Sequence, residues 1–138
     1  MVFLNHKHAS NFQKLIQKDN THPKDCERYA LFYILSGNED LFKKKEFIYD
    51  FENNNIKLDC LIDGSADFST SSKALVRLAF NLYNSYEDKY TSPIDIFYSL
   101  DNGNYNLAMK SVDIRFGRVT ENERNNDNEE EIEDECEV

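Results

Sequence analysis

The sequence predicts an all-α fold, a single compact bundle of five to seven helices over residues 1–116, followed by an acidic tail over 117–138. Three observations predict it. Apolar residues recur at helical spacing in several separate stretches, and alternating apolar–polar runs of the strand type are scarce. Only four Gly and two Pro occur in 138 residues, too few for a turn-rich sandwich or barrel. Hydrophobic residues make up 40% of the chain and aromatics 13%, enough to build one hydrophobic core at this length.

The elements follow in chain order. Phe12, Leu15 and Ile16 give residues 9–18 a modest apolar stripe, with Asn5 placed to cap it. The polar turn Asp19-Asn20-Thr21-His22-Pro23 then leads into a helix over 24–36, whose first turn suits the proline and whose stop is Gly37. That helix is apolar on nearly all sides after Arg28, which places it in the middle of the bundle. Asn38 caps a charged helix running through Leu41 and Phe42 towards Ile48, and Asn53-Asn54-Asn55 breaks it. Residues 56–62 make one short helical turn, and a hydroxyl-rich loop follows, ending in the cap candidates Ser69 to Ser72. Leu75, Leu78, Ala79, Leu82, Tyr83 and Tyr86 then form the strongest helical stripe in the chain. Ser92-Pro93 opens a short helix through Leu100, and Asp101 caps a last one striped by Tyr105, Ala108, Met109, Val112 and Phe116.

Charge divides the chain unevenly. The formal net charge is −10. Residues 117–138 hold ten acids against Arg118 and Arg124, a charge of −8, which leaves −2 for residues 1–116. With Val119 and Ile132 as its only internal aliphatics, the tail is expected to be disordered. An acidic chain lacks the basic face that phosphate contacts require, so direct nucleic-acid binding is not expected. The longest unbroken apolar run, residues 29–35, is far short of the roughly 18 residues that span a bilayer, and the first residues lack the basic and apolar regions of a signal peptide. Cys26, Cys60 and Cys136 are odd in number and widely spaced, as reduced thiols in a cytoplasmic protein would be.

The residues with chemistry to offer gather around the first interhelical turn. Asp19, His22, Asp25 and, from further along, Asp40 are the candidate catalytic residues, a carboxylate–histidine set of the kind used in metal-dependent or hydrolytic reactions. The competing reading is helix capping plus one Arg28–carboxylate pair, with Asp25 on the first turn of its helix. His6 and His8, two apart, point about 200° away from each other on a helix, whereas on a strand they would share a face and could bind a divalent metal. No HExxH, Walker A, GxSxG or EF-hand spacing occurs, and Asp101-Asn102-Gly103-Asn104 places its glycine too early for calcium. No metal and no cofactor are expected.

The segments Asp19-Asn20-Thr21-His22-Pro23-Lys24-Asp25-Cys26-Glu27-Arg28, Leu31-Phe32-Tyr33-Ile34, Ser36-Gly37-Asn38, Ser72-Lys73-Ala74-Leu75, Arg77-Leu78-Ala79-Phe80-Asn81-Leu82-Tyr83-Asn84 and Ser92-Pro93-Ile94-Asp95 resemble an uncharacterised family of short proteins. Its members come from low-GC Gram-positive bacteria and their phages and mobile elements, and have no assigned activity. The resemblance covers most of 1–116, leaves the acidic tail outside, and brings over no catalytic residue.

The function expected from these features is that of a small acidic interaction protein without enzymatic activity. It would bind and inhibit a host protein with a basic surface, such as a nuclease or another nucleic-acid-binding defence protein. The contact residues would be Tyr86, Tyr90 and Tyr98, since tyrosine is favoured at interfaces, and the tail carboxylates Glu129, Glu130, Glu131, Glu133, Asp134 and Glu135, which can stand in for phosphates against Arg and Lys. The alternatives are an enzyme using Asp19, His22, Asp25 and Asp40, a regulatory or structural oligomer subunit, and a tail that covers a basic face of its own body.

Overall fold

The computed structural model describes residues 1–118. Among these the chain is mostly helical: α1 (His6–Asp19), α2 (Cys26–Gly37), α3 (Glu39–Lys43), α4 (Lys45–Ile48), α5 (Asp59–Ile62), α6 (Thr70–Asn84), α7 (Pro93–Phe97) and α8 (Asn102–Arg115). Eight helices exceed the expected five to seven because the charged helix over 39–48 divides at Lys44, whose backbone (φ −104°, ψ 19°) leaves the α region. Beyond it lies a small antiparallel hairpin, β1 (Tyr49–Asp50) with β2 (Asn55–Ile56), in the register Tyr49 opposite Ile56. Asn54 at φ 57° turns the chain there, and the Asp50 carboxylate accepts from the Glu52 and Asn53 amides and the Asn53 side chain. Those bonds from Asn53 hold the Asp50 carboxyl below its ordinary range.

α2 is the axle, packed against α1, α6 and α8. Six consecutive residues, Ala30 to Leu35, are fully buried, so its all-round apolar sequence matches its central position. It begins later than the proline suggests. Asp25 is the N-cap, its side chain accepting from the Arg28 amide, and Pro23 lies in the preceding turn. α6 buries Leu75, Leu78, Ala79 and Leu82 as its stripe requires and is capped by Ser69. α7 carries Pro93 in its first turn behind the Ser92 cap and ends at Phe97 rather than Leu100.

Two expectations need correction. α8 turns Leu107, Ala108 and Ser111 to the core, while Tyr105, Met109 and Phe116 of the expected stripe are 45%, 38% and 43% exposed. The spacing was helical, but the side facing α2 is set by the small and branched residues that allow close approach. Gly37 does end α2, yet its conformation is not the reason for a glycine. A Cβ there would overlap Leu107 Cδ1 and sit 2.9 Å from His8 Nε2, so Gly37 provides the clearance at which α1, α2 and α8 meet.

His8 itself is buried, with both ring nitrogens engaged. Leu4 N–H donates to Nδ1 at 3.1 Å, so the proton resides on Nε2, which donates to the Tyr33 carbonyl at 3.0 Å. Burial lowers the His8 pKa below its ordinary 6.5, against the opposing pull of that carbonyl. As pH falls through about 6.5 the unfolded chain takes up a proton that the folded chain refuses. Stability is therefore full above that pH and declines below it, by at most about 1.4 kcal/mol per pH unit. Urea melts at pH 7.5 and 5.5 should show the wild type losing more on acidification than His8→Gln. Equal losses would mean that His8 accepts its proton in place.

Candidate functional site

Where α1 ends, α2 begins and the hairpin crosses them, the chain builds a polar network on Asp19. Its side chain is 2% exposed. It accepts from the Thr21 hydroxyl at 2.5 Å, the Tyr49 phenol at 2.6 Å and the Asn54 amide at 2.7 Å. Arg28 joins this carboxylate to a second one. Its Nε donates to Tyr49 Oη at 2.9 Å and lies 3.8 Å from Asp19 Oδ2, its Nη1 donates to Asp25 Oδ2 at 2.9 Å, and its Nη2 donates to the Asn54 carbonyl at 2.5 Å. The guanidinium also faces the Tyr83 ring at 5.3 Å. Burial pushes the Tyr49 phenol up, and the bond it donates to Asp19 adds to that, so Tyr49 acts here as a donor that keeps its proton. Two carboxylates, one guanidinium, a phenol and an asparagine thus satisfy one another.

The structure brings together only part of the predicted catalytic set. Asp19 and Asp25 share Arg28. His22 is exposed in the turn, its Nδ1 accepting from the Lys24 amide. Asp40 belongs to another place, an open cleft of about 490 Å³ between the starts of α3 and α6, where it pairs with Lys44 at 3.0 Å and accepts from Ser72 at 3.1 Å. Lys44 also donates to the Asp67 carbonyl. Among the described residues no group of three His, Cys, Asp or Glu is placed to hold a metal ion. Tyr49 and Asn54, which complete the Asp19 network, were not singled out by sequence. Their partners lie 30 and 35 residues away, and the sequence pointed towards the site only through the candidates Asp19 and Asp25 and the expected pairing of Arg28 with a carboxylate.

The predicted contact tyrosines divide similarly. Tyr86 is half-buried, packed edge-on against Phe80, and donates to Asp88 at 2.8 Å. Burial and then that bond push its phenol up to about 12. Asp88 also accepts from Arg77 Nε at 3.0 Å and the Tyr90 amide at 2.8 Å, so this loop is pinned to α6. Burial opposes ionisation of Asp88, but the bonds from Tyr90, Tyr86 and Arg77 outweigh it and hold the carboxyl below its usual value. Tyr90 lies under Arg77 and is half exposed, whereas Tyr98 is 86% exposed. Glu129, Glu130, Glu131, Glu133, Asp134 and Glu135 lie outside the described residues, as does the expected disorder of the tail.

Fold and site together define a small helical domain whose central helix is anchored at its N-terminus by a buried ion-paired network, with unusual apolar exposure on its last two helices. The chain belongs to the family of unknown function DUF6075, whose family model matches residues 1–128. The match extends past Arg118 into the acidic segment, further than the resemblance read from the sequence. No curated protein and no solved structure matches the chain. Among the described residues no helix is long and apolar enough to cross a membrane.

Proposed function

We propose that this chain is a small acidic interaction protein, without a reaction of its own, that binds and inhibits a protein with a basic surface. The observation that carries the reading is the segregation of charge: −8 in residues 117–138 against −2 in the rest. Dense carboxylates compete with phosphates for the Arg and Lys of a nucleic-acid-binding groove, so a nuclease or another nucleic-acid-binding defence protein is the class of target. A cytoplasmic setting, with a phage or other mobile element of a low-GC Gram-positive bacterium as the source, accords with that target. The engagement of Asp19 and Asp25 by Arg28, Tyr49 and Asn54 supports assigning those acids to folding rather than to a reaction.

The test changes the tail charge within the full-length chain. Replacing Glu129, Glu130, Glu131, Glu133 and Glu135 by Gln and Asp134 by Asn should abolish capture of a host nucleic-acid-binding protein that the wild type retains. Wild-type capture should weaken steeply as salt rises, because exposed charges are screened within about 8 Å at physiological ionic strength. Thermal stability should stay nearly the same, since the core formed among the described residues draws on side chains from Met1 to Ile114. Capture that survives neutralisation and high salt would overturn the reading. Loss of a measurable hydrolytic activity on Asp25→Ala would favour the enzyme instead.

A further inference from the structure

We propose that residues 1–4 form a strap latched by the neutral ring of His8, and that protonation of that ring releases it. The strap lies against the start of α1 and the middle of α2. Phe3 packs its ring 5.0 Å from that of His8, 5.3 Å from Phe12 and 5.7 Å from Tyr33. The Tyr33 phenol donates to the Val2 carbonyl at 2.6 Å. Leu4 N–H donates to His8 Nδ1 at 3.1 Å, which ties the strap to a side chain that changes charge near neutral pH. Asn5 follows in extended backbone (φ −165°, ψ −178°), and its side chain caps α1 by accepting from the His8 amide at 2.8 Å. That cap uses the His8 backbone and not its ring, so α1 keeps its start whether or not the strap is docked.

The two ring nitrogens respond differently to a proton. Nε2 already donates to the Tyr33 carbonyl at 3.0 Å, and an imidazolium strengthens that bond. Nδ1 loses its lone pair, so its new N–H would face the Leu4 N–H across 3.1 Å, and an accepted bond becomes a donor–donor contact. The Leu4 amide must then turn to water, which lifts the strap. Among the described residues the surroundings supply the ring with no counter-charge. α2 presents the Tyr33 ring at 4.5 Å, its phenol turned to Val2. α8 presents the apolar Leu107, which borders Gly37 beside Nε2. On α1 itself Asn11 and Phe12 are uncharged, and Lys7 reaches to Glu39 of α3 at 3.5 Å on the exposed side. Docking is therefore complete above about pH 6.5 and weakens below it, as the undocked state takes up the proton that the docked state refuses. Release uncovers the Phe12 and Tyr33 rings, which are buried under the strap.

The chain has no tryptophan, so Phe3→Trp in the full-length protein turns the strap into a fluorophore. Between about pH 7.5 and 5, a range in which ordinary surface carboxylates stay ionised, its emission should move to the red and its quenching by acrylamide should rise several-fold. The far-UV helix signal should hold over the same range. With His8→Gln added, emission should stay blue throughout, because a glutamine amide offers an acceptor and a donor that do not titrate. In the unaltered chain, exchange of the Leu4 amide, corrected for its intrinsic pH dependence, should quicken at least tenfold while that of Phe12 is unchanged. A red shift as large in the His8→Gln chain would mean that another group opens the strap. Loss of helix signal in step with the shift would mean that acid unfolds the domain as a whole. Unshifted emission with unchanged Leu4 exchange would mean that His8 gains its proton in place. Each of these three results overturns the proposal. If tryptophan itself undocks the strap at pH 7.5, the Leu4 exchange of the unaltered chain decides.

Discussion

Arg28→Met is expected to destabilise the fold by about 3–5 kcal/mol, the usual cost of removing one partner from a buried charge pair. The side chain of Asp19 is 2% exposed, and Arg28 supplies the positive charge beside it. Thr21, Tyr49 and Asn54 would still donate hydrogen bonds to Asp19, but they carry no charge to balance it. Methionine fills similar volume, so lost packing contributes little and the unpaired carboxylate dominates. Arg28→Lys should fall between, because an ammonium keeps the charge but cannot serve Tyr49, Asp25 and the Asn54 carbonyl together as the guanidinium fork does. Adding Asp19→Asn to Arg28→Met should cost less than the two single changes summed, since the second removes the charge that the first exposed. Urea denaturation of the four proteins measures this. A loss below about 1 kcal/mol for Arg28→Met would place the network with surface ion pairs, which contribute little.

The readable parts of the molecule were those fixed by local chemistry. Helix caps at Asn5, Asn38, Ser69, Ser92 and Asp101 accept their amides as their sequence positions suggest, because a cap is decided within three residues. α2 was legible as the centre because no polar side was left for solvent. The side of α8 that packs inward was not, because two apolar stripes compete on that helix and only tertiary contact chooses between them. The hairpin escaped notice because each strand is two residues long, too short for any alternation to register. The site shows the same division. Asp25 and Arg28 are three apart on one helix, whereas the hairpin that brings Tyr49 and Asn54 to Asp19 is long-range information. Asp40 looked like a member of the cluster by residue type alone and was drawn instead to Lys44, its neighbour one helical turn on.

Leu107→Ala should cost about 2–5 kcal/mol, the range for truncating a fully buried leucine, and the structure says why its effect depends on a glycine seventy residues earlier. Leu107 has no exposed surface and occupies the hollow left by the missing Cβ of Gly37. The reverse change, Gly37→Ala, sets two effects against each other. Alanine is favoured over glycine within a helix by up to about 1 kcal/mol, less at a terminal residue. Against that, the new methyl overlaps Leu107 Cδ1 and crowds His8 Nε2 at 2.9 Å, and overpacking of this kind costs about 1–3 kcal/mol. A leucine terminus can normally rotate away, but this one is enclosed, and His8 is fixed by Leu4 and Tyr33. The clash wins, so Gly37→Ala alone should destabilise. In the Leu107→Ala background the same methyl enters vacated space, and the double variant should be more stable than additivity requires by about 0.5–3 kcal/mol. Additive losses in the same urea experiment would show that Gly37 and Leu107 do not share this space, and the account of the three-helix junction would have to be abandoned.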